Sequence, residues 1–345
     1  MIDREKLIVN FINKNNLSNA QRIKLSNDAS FRRYERIVAE TKSLMLMDAP
    51  PEKENIESFV NIDNYLIRRG LSAPEIYDVD EKNGLMLLED FGDNSFTNVL
   101  AGKSPLSDKY SEKDLYLPAI DVLIQLDRST LPRKTPDYDG ELLMKECMLL
   151  TDWYLPNTNP NANTNIVVEE YINIWNNLLN FNKVSEDVVV LRDYHADNLM
   201  WLPERNGVMN VGLLDFQDAV IGSPVYDIVS LLEDARRDVS EETVEACINH
   251  YLSARKSIDK KTFEAVYAIL AAQRNCKIVG IFARLAIRDD KTRYLNYLPR
   301  VWNHLEKGLS HPVLQPLKEW LQAVLPKELR KPSAFILNEK EAVVG

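Results

Sequence analysis

Residues 191–227 read LRDYHADNLMWLPERNGVMNVGLLDFQDAVIGSPVYD. The run that leads into them, Val188-Val189-Val190-Leu191, is apolar and β-branched and predicts a buried strand. Asp193 therefore stands just past a strand end, where the backbone is firmly held. Asn198 follows five residues later, and Val211 to Leu214 predict another buried strand that ends at Asp215. Pro203-Glu204-Arg205-Asn206-Gly207 has turn chemistry and predicts a hairpin that brings Asp193, Asn198 and Asp215 together. Ser223-Pro224 predicts a helix start, with serine as N-cap and proline at the first helical position. Asp227 then falls in the first turn, either facing the helix dipole or bracing the Asp193 loop from below.

The three polar residues form an oxygen-only set. One carboxylate can take a proton from a hydroxyl, while an amide oxygen and a second carboxylate suit Mg²⁺. That is what phosphoryl transfer to an alcohol requires, and a positioned base is worth about 10² to 10⁴ in rate. A single acid after a strand is usually a turn residue; the ordered succession of strand, Asp, Asn, hairpin, strand and Asp carries the inference. His195, in the same loop, reads as a structural brace that bonds a backbone group or Asp215. Asp197 reads either as a polar contact near the metal or as an ordinary loop residue.

The chain has 345 residues, 45% of them hydrophobic, which suits one large or two modest domains. A net charge of −10 argues against a nucleic-acid partner, because neutralising phosphates needs a basic face. It leaves room for a nucleotide held in a local patch of arginine and Mg²⁺. Cys147, Cys247 and Cys276 are scattered and odd in number, which predicts buried thiols in a reducing compartment. The N-terminus MIDREKLIVNFINKNN lacks the apolar stretch of a secretory signal. No segment approaches the roughly eighteen apolar residues of a membrane span. A cytoplasmic protein with no membrane partner is expected.

Apolar spacing predicts a helix over 2–16, strands near 23–25, 31–38 and 43–47, a helix over 52–69, and a hairpin of 75–79 with 85–89. Beyond Gly92, helices are expected near 111–130, 140–154, 166–181, 224–238, 242–255, 260–283 and 293–309. This pattern predicts an α+β chain with a small β-rich lobe over 1–92 and a larger helical lobe over 93–345.

At Arg192-Asp193, Asn198 and Asp215 the sequence resembles the aminoglycoside phosphotransferase and choline kinase superfamily, whose fold is protein-kinase-like and two-lobed. The resemblance implies Asp193 as catalytic base, Asn198 and Asp215 as Mg²⁺ ligands, and ATP as phosphate donor. It makes 1–92 the nucleotide-binding lobe and 93–345 the catalytic and substrate-binding lobe. The phrases DASFRRY (28–34), MDAPPE (47–52), LRDYHADNLMWLP (191–203), GLLDFQDA (212–219), YDIVSLLEDARRDV (226–239) and QRNCKIVGIFARL (273–285) carry a narrower resemblance. They resemble the bacterial anomeric kinases of N-acetylmuramate and N-acetylglucosamine in cell-wall recycling. That resemblance implies transfer of the γ-phosphate to the C1 hydroxyl of a small amino sugar, with no obligate protein partner evident. A hemiacetal hydroxyl is more acidic than an ordinary alcohol, so a carboxylate base suffices.

The sequence departs from the superfamily pattern in its first lobe. The turn Ser26-Asn27-Asp28-Ala29-Ser30 has no glycine; its N–H groups and the Ser30 hydroxyl are expected to meet phosphate. The third strand, Leu44-Met45-Leu46-Met47, lacks the usual lysine. Arg32 or Arg33 is expected to replace it as a bidentate phosphate ligand, paired with Glu54 or Glu57. Otherwise these charges form a solvated cluster. Backbone groups of Glu89 and Phe91 are expected to hold adenine, with side-chain identity mattering little. Gln217, where protein kinases have glycine, points to a constitutively ordered site. Arg236, Arg237, Arg274, Asn275 and Lys277 are candidate substrate contacts, or else helix-pairing residues. Gln273-Arg274-Asn275 is polar within an apolar helix, and such groups need partners. Two other readings remain at this stage. One is a kinase of the same fold acting on an aminoglycoside, on choline or on a different sugar. The other is a nucleotide-binding pseudokinase scaffold, permitted by the missing lysine and glycines and opposed by the retained Asp193, Asn198 and Asp215.

Overall fold

The computed structural model describes residues 4–25, 31–181 and 186–335; Ser30, and the phosphate contact expected of it, lie outside the described residues. The chain forms two compact units, residues 1–125 with 196–219, and 126–195 with 220–345.

The chain opens with α1 (Arg4–Lys14), β1 (Gln21–Lys24), β2 (Arg33–Val38), β3 (Ser43–Asp48), α2 (Ile56–Arg68), β4 (Ile76–Asp80) and β5 (Leu85–Glu89). The strands make one antiparallel sheet in the order β1-β2-β3-β5-β4. Ile8, Phe11, Ile12 and Leu17 pack against Ile37, Leu44, Leu46, Leu85 and Leu87, so α1 and the strand alternation share one core. In α2 the Asn55 side chain caps the N-terminus by accepting from the Glu57 amide at 2.8 Å, and Ile56, Phe59, Ile62 and Leu66 form its buried stripe.

The rest is mainly helical: α3 (Phe96–Leu100), α4 (Glu112–Asp127), α5 (Gly140–Cys147), α6 (Leu155–Thr158), α7 (Asn165–Leu179), α8 (Val225–Leu232), α9 (Glu241–Ala254), α10 (Lys260–Arg288), α11 (Leu298–Gly308) and α12 (Gln315–Val324). Between α7 and α8 lie four short strands, β6 (Val188–Val190), β7 (Leu199–Trp201), β8 (Val211–Leu213) and β9 (Val220–Gly222). The first unit runs past the boundary expected at residue 92 because the β7–β8 hairpin packs within it. The Trp201 amide donates to the Asn94 carbonyl, and the Leu213 amide to the Ser72 carbonyl, both at 2.8 Å.

In the second unit α10 is buried along most of its length. A Cβ on Gly280 would sit 2.2 Å from the Leu149 carbonyl carbon, so α10 meets the segment after α5 backbone to backbone. That close approach sets Gln273 and Lys277 beside Glu146.

Several boundaries differ from expectation. The single helix predicted over 140–154 is α5 followed by a π-helical turn over Leu150–Tyr154. The helix predicted over 224–238 stops at Leu232. Strand β9, paired with β6, was not foreseen, because Gly222-Ser223-Pro224 signals only a helix start. The N-cap of α8 is Pro224 rather than the expected Ser223, whose carbonyl accepts from the Tyr226 amide at 3.1 Å and whose buried hydroxyl has no partner among the described residues. All three cysteines are buried thiols. No helix among the described residues is long and apolar enough to cross a membrane.

Asp63 on α2 is buried, and its Oδ1 makes no hydrogen bond among the described residues. Burial first, and the nearby Glu89 second, push its pKa up to about 7. A carboxyl raised above its unfolded value stabilises the fold while protonated; that contribution is complete below the unfolded pKa and is lost as pH rises through about 7. Asp63→Asn should therefore raise Tm by a few degrees at about pH 8.5 and do little at about pH 5.5, as read by thermal unfolding.

Candidate active site

In the second unit β6 pairs with β9 through Val188↔Gly222, Val189↔Ile221 and Val190↔Val220. Just beyond it the chain makes a strained turn. Arg192 has φ +68°, and the Asp193 amide donates to the Leu191 carbonyl at 2.8 Å across it. This is a γ-turn of the rare hand, and a non-glycine residue there costs about 1–3 kcal/mol. Five contacts hold it. Asp227 accepts from the Leu191 amide at 2.6 Å and the Arg192 amide at 2.9 Å. The Ser230 hydroxyl, one turn along α8, donates to the Arg192 carbonyl at 3.1 Å. The Arg192 guanidinium pairs with Glu146 and lies 5.5 Å from the Tyr138 ring centre. Burial pushes the Asp227 carboxyl up to about 7, against the lowering effect of the two amides.

Asp193 keeps contact with solvent. Surrounding protein opposes its charge, but the fields of Lys277, His195, Arg274 and Arg192 outweigh that cost and hold its pKa below the ordinary carboxylate value. His195 is buried with Nε2 3.2 Å from Arg236 Nη1, a partner the sequence did not suggest. Burial, reinforced by Arg236, lowers its pKa against the pull of Asp234, which favours a neutral ring that accepts from the guanidinium. Arg274 donates to the Glu233 carbonyl at 3.4 Å, and Asn275 to the Glu233 carboxyl at 2.8 Å. Arg236, Arg274 and Asn275 thus engage protein groups inside this unit, and Arg237 lies half-buried beside Arg236.

In the first unit the β7–β8 hairpin pairs Leu199 with Leu213, and the Leu214 amide donates to the Asn198 carbonyl at 3.0 Å. Asn198 and Asp215 therefore emerge at the same end of one hairpin. The hairpin is β7 with β8; the strand that precedes Asp193 pairs elsewhere, with β9. The Thr97 hydroxyl donates to Asp197. Asp215 has φ +57° and is half-exposed; the Gln217 amide donates to its Oδ1 at 2.8 Å. Phe216 anchors this turn against Phe59 of α2, with ring centres 4.9 Å apart.

The two arginines of β2 and its approach part company. Arg32 lies 3.4 Å from Glu54, 3.9 Å from Asp215 and 3.8 Å from Asp218, with only 10% of its side chain exposed. Arg33 pairs at 2.5 Å with Asp48, directly opposite on β3, and is half-exposed.

Glu89 and Phe91 are tied down through their side chains, which the sequence had given little weight. The Glu89 amide donates to the Glu75 carbonyl at 2.8 Å, and its carboxylate pairs with Arg205. The Arg205 guanidinium lies 5.1 Å from the Phe91 ring centre. A Cβ on Gly212 would come within 2.9 Å of that ring. Glu146, Arg205 and Gly212 gave no sequence signal: a lone acid on an amphipathic helix and a lone turn arginine look like solvated charges until their partners are known.

The phosphotransferase enzyme family model matches residues 22–266. A protein of Caulobacter vibrioides named N-acetylmuramate/N-acetylglucosamine kinase is 34% identical over 95% of this chain and 99% of its own. One of the same name from Pseudomonas aeruginosa is 34% identical over 89% of each chain. Among solved structures, a choline kinase of Streptococcus pneumoniae superposes with a TM-score of 0.62 at 14% identity, covering 88% of this chain and 99% of that one. An ADP-bound aminoglycoside phosphotransferase gives 0.56 at 14% identity, covering 86% and 95%. The α+β, protein-kinase-like fold is the one expected, and the chain belongs to the phosphotransferase enzyme family.

Proposed function

We propose that this phosphotransferase moves the γ-phosphate of ATP to the anomeric hydroxyl of N-acetylmuramate or N-acetylglucosamine, in the cytoplasm. The observation that carries the acceptor is the 34% identity, over nearly the whole length of both chains, to a kinase named for those two sugars. Asp193 is the base. Its depressed pKa keeps it ionised at neutral pH, and a hemiacetal hydroxyl is acidic enough to yield its proton to such a carboxylate.

The residues at the hairpin end fit Mg²⁺. Asn198 and Asp215 offer oxygen donors only, and the Asp215 side chain is half-exposed at the hairpin end. Bound there, the ion would neutralise phosphate charge. Arg32 takes the phosphate role proposed for the absent lysine: it is shielded, paired with Glu54 and near Asp215, whereas Arg33 is spent on Asp48. Backbone groups at Glu89–Phe91 receive adenine on a segment that Arg205 holds in place.

Steady-state kinetics against a panel of amino sugars, aminoglycosides and choline tests the acceptor: turnover only with aminoglycosides or choline rejects it, and ATP binding without any turnover favours a scaffold. Asp193→Asn should lower kcat about 10² to 10⁴-fold with little change in the KM for ATP. Arg32→Met should raise the KM for ATP about tenfold or more, and Arg33→Met should leave it within about twofold. Equal effects of the two arginine variants contradict the assignment. Asp227→Ala leaves two buried amides unpaired and should cost about 2–6 kcal/mol in denaturant unfolding.

A further inference from the structure

Glu146 lies in the last turn of α5, and the proposed proton and phosphoryl transfers assign it no step, yet it is buried and fully engaged. Its Oε1 receives two cations, the Arg192 guanidinium and the Lys277 ammonium at 2.8 Å. Its Oε2 receives two neutral donors, the Tyr138 hydroxyl and the Gln273 amide at 3.2 Å. Four donors saturate a carboxylate, so this group has one geometry available to it. Lys277 is fixed as well, with Nζ 3.3 Å from the Tyr226 hydroxyl. The Gly280 contact that seats α10 against the segment after α5 brings the two residues together.

We propose that Glu146 and Lys277 are positioning residues for phosphoryl transfer: they fix the Arg192 side chain and, through the turn at Arg192, the Asp193 carboxylate. The proposal rests on the reading of Asp193 as the base. Glu146 holds the side chain of a strained turn whose backbone α8 braces through Asp227 and Ser230. Charge balance leads to the same conclusion. Arg192 and Lys277 bring two positive charges to one anion, and the excess is available to Asp193. The titratable groups that face Asp193 include Lys277 and Arg274 from α10, Arg192 and the neutral His195 from its own loop, and Asp227 from α8. Lys277 is foremost among those that favour its ionised form, so the pair sets both where Asp193 lies and how readily it stays charged.

The test uses the full-length enzyme with its best acceptor and measures kcat, KM and the pH profile for Glu146→Gln, Lys277→Met, Lys277→Arg and Asp193→Asn. Glu146→Gln should lower kcat roughly 10- to 100-fold while the KM for ATP stays within about twofold. Lys277→Met removes a cation from beside Asp193 and should move the acid limb of kcat upward by about one pH unit; Lys277→Arg should restore it. Tyr138→Phe deletes one hydroxyl that Glu146 accepts and should lower kcat severalfold, and it decides the matter if a charged variant fails to fold. Wild-type kcat in Glu146→Gln and Tyr138→Phe, with an unmoved acid limb in Lys277→Met, overturns the proposal while Asp193→Asn is inactive. If Asp193→Asn turns over like the wild type, the assignment of the base itself falls.

Discussion

The turn at Arg192 is the constraint on which the site depends. A β-strand that ends in ordinary loop geometry would leave the next acid free to wander. Here a γ-turn of the unfavourable hand reverses the chain within one residue, and Asp193 follows at once. Strain of about 1–3 kcal/mol persists only where the surroundings over-determine it. They do so here: the Arg192 amide is held by Asp227, its carbonyl by Ser230 and its guanidinium Nη2 by Glu146. Asp227 and Ser230 lie three residues apart on α8, the spacing that aims two side chains at one neighbouring segment.

Two acids of the same stretch are driven in opposite directions by their surroundings. Asp227 is enclosed, and burial outweighs the two amides and the field of Arg274 and pushes it up to about 7. Asp193 reaches solvent among cations and is held below the ordinary carboxylate range. One is a structural acceptor and the other suits a base, and environment rather than residue type makes the difference. The adjacent arginines Arg32 and Arg33 divide in the same way: neighbours in sequence point to opposite sides of a strand's course, so one lies near Asp215 and the other on Asp48.

Much of this was legible in the sequence. The Asp193, Asn198 and Asp215 order, the β-rich beginning and the helical remainder follow from periodicity and turn chemistry, which are local. What the sequence did not disclose depends on pairing across distance. Strand β9 is three residues long beside a strong helix signal, so nothing local marks it. Glu146 sits on a helix whose acids are otherwise exposed, and only α10 packing against α5 reveals that it meets Arg192 and Lys277. The contact of His195 with Arg236 spans 41 positions, so no local pattern marks it. Glu89 and Phe91 were expected to act through their backbone alone, and Arg205 shows that their side chains are held as well.

Family membership defines the chemistry, and the identity of the acceptor is the central claim that remains to be measured. ³¹P NMR of the product formed from ATP, Mg²⁺ and N-acetylmuramate or N-acetylglucosamine tests it most directly. The account predicts a phosphomonoester signal split into a doublet by the anomeric proton. A triplet from a primary hydroxyl, or no new phosphomonoester with either sugar, would contradict it.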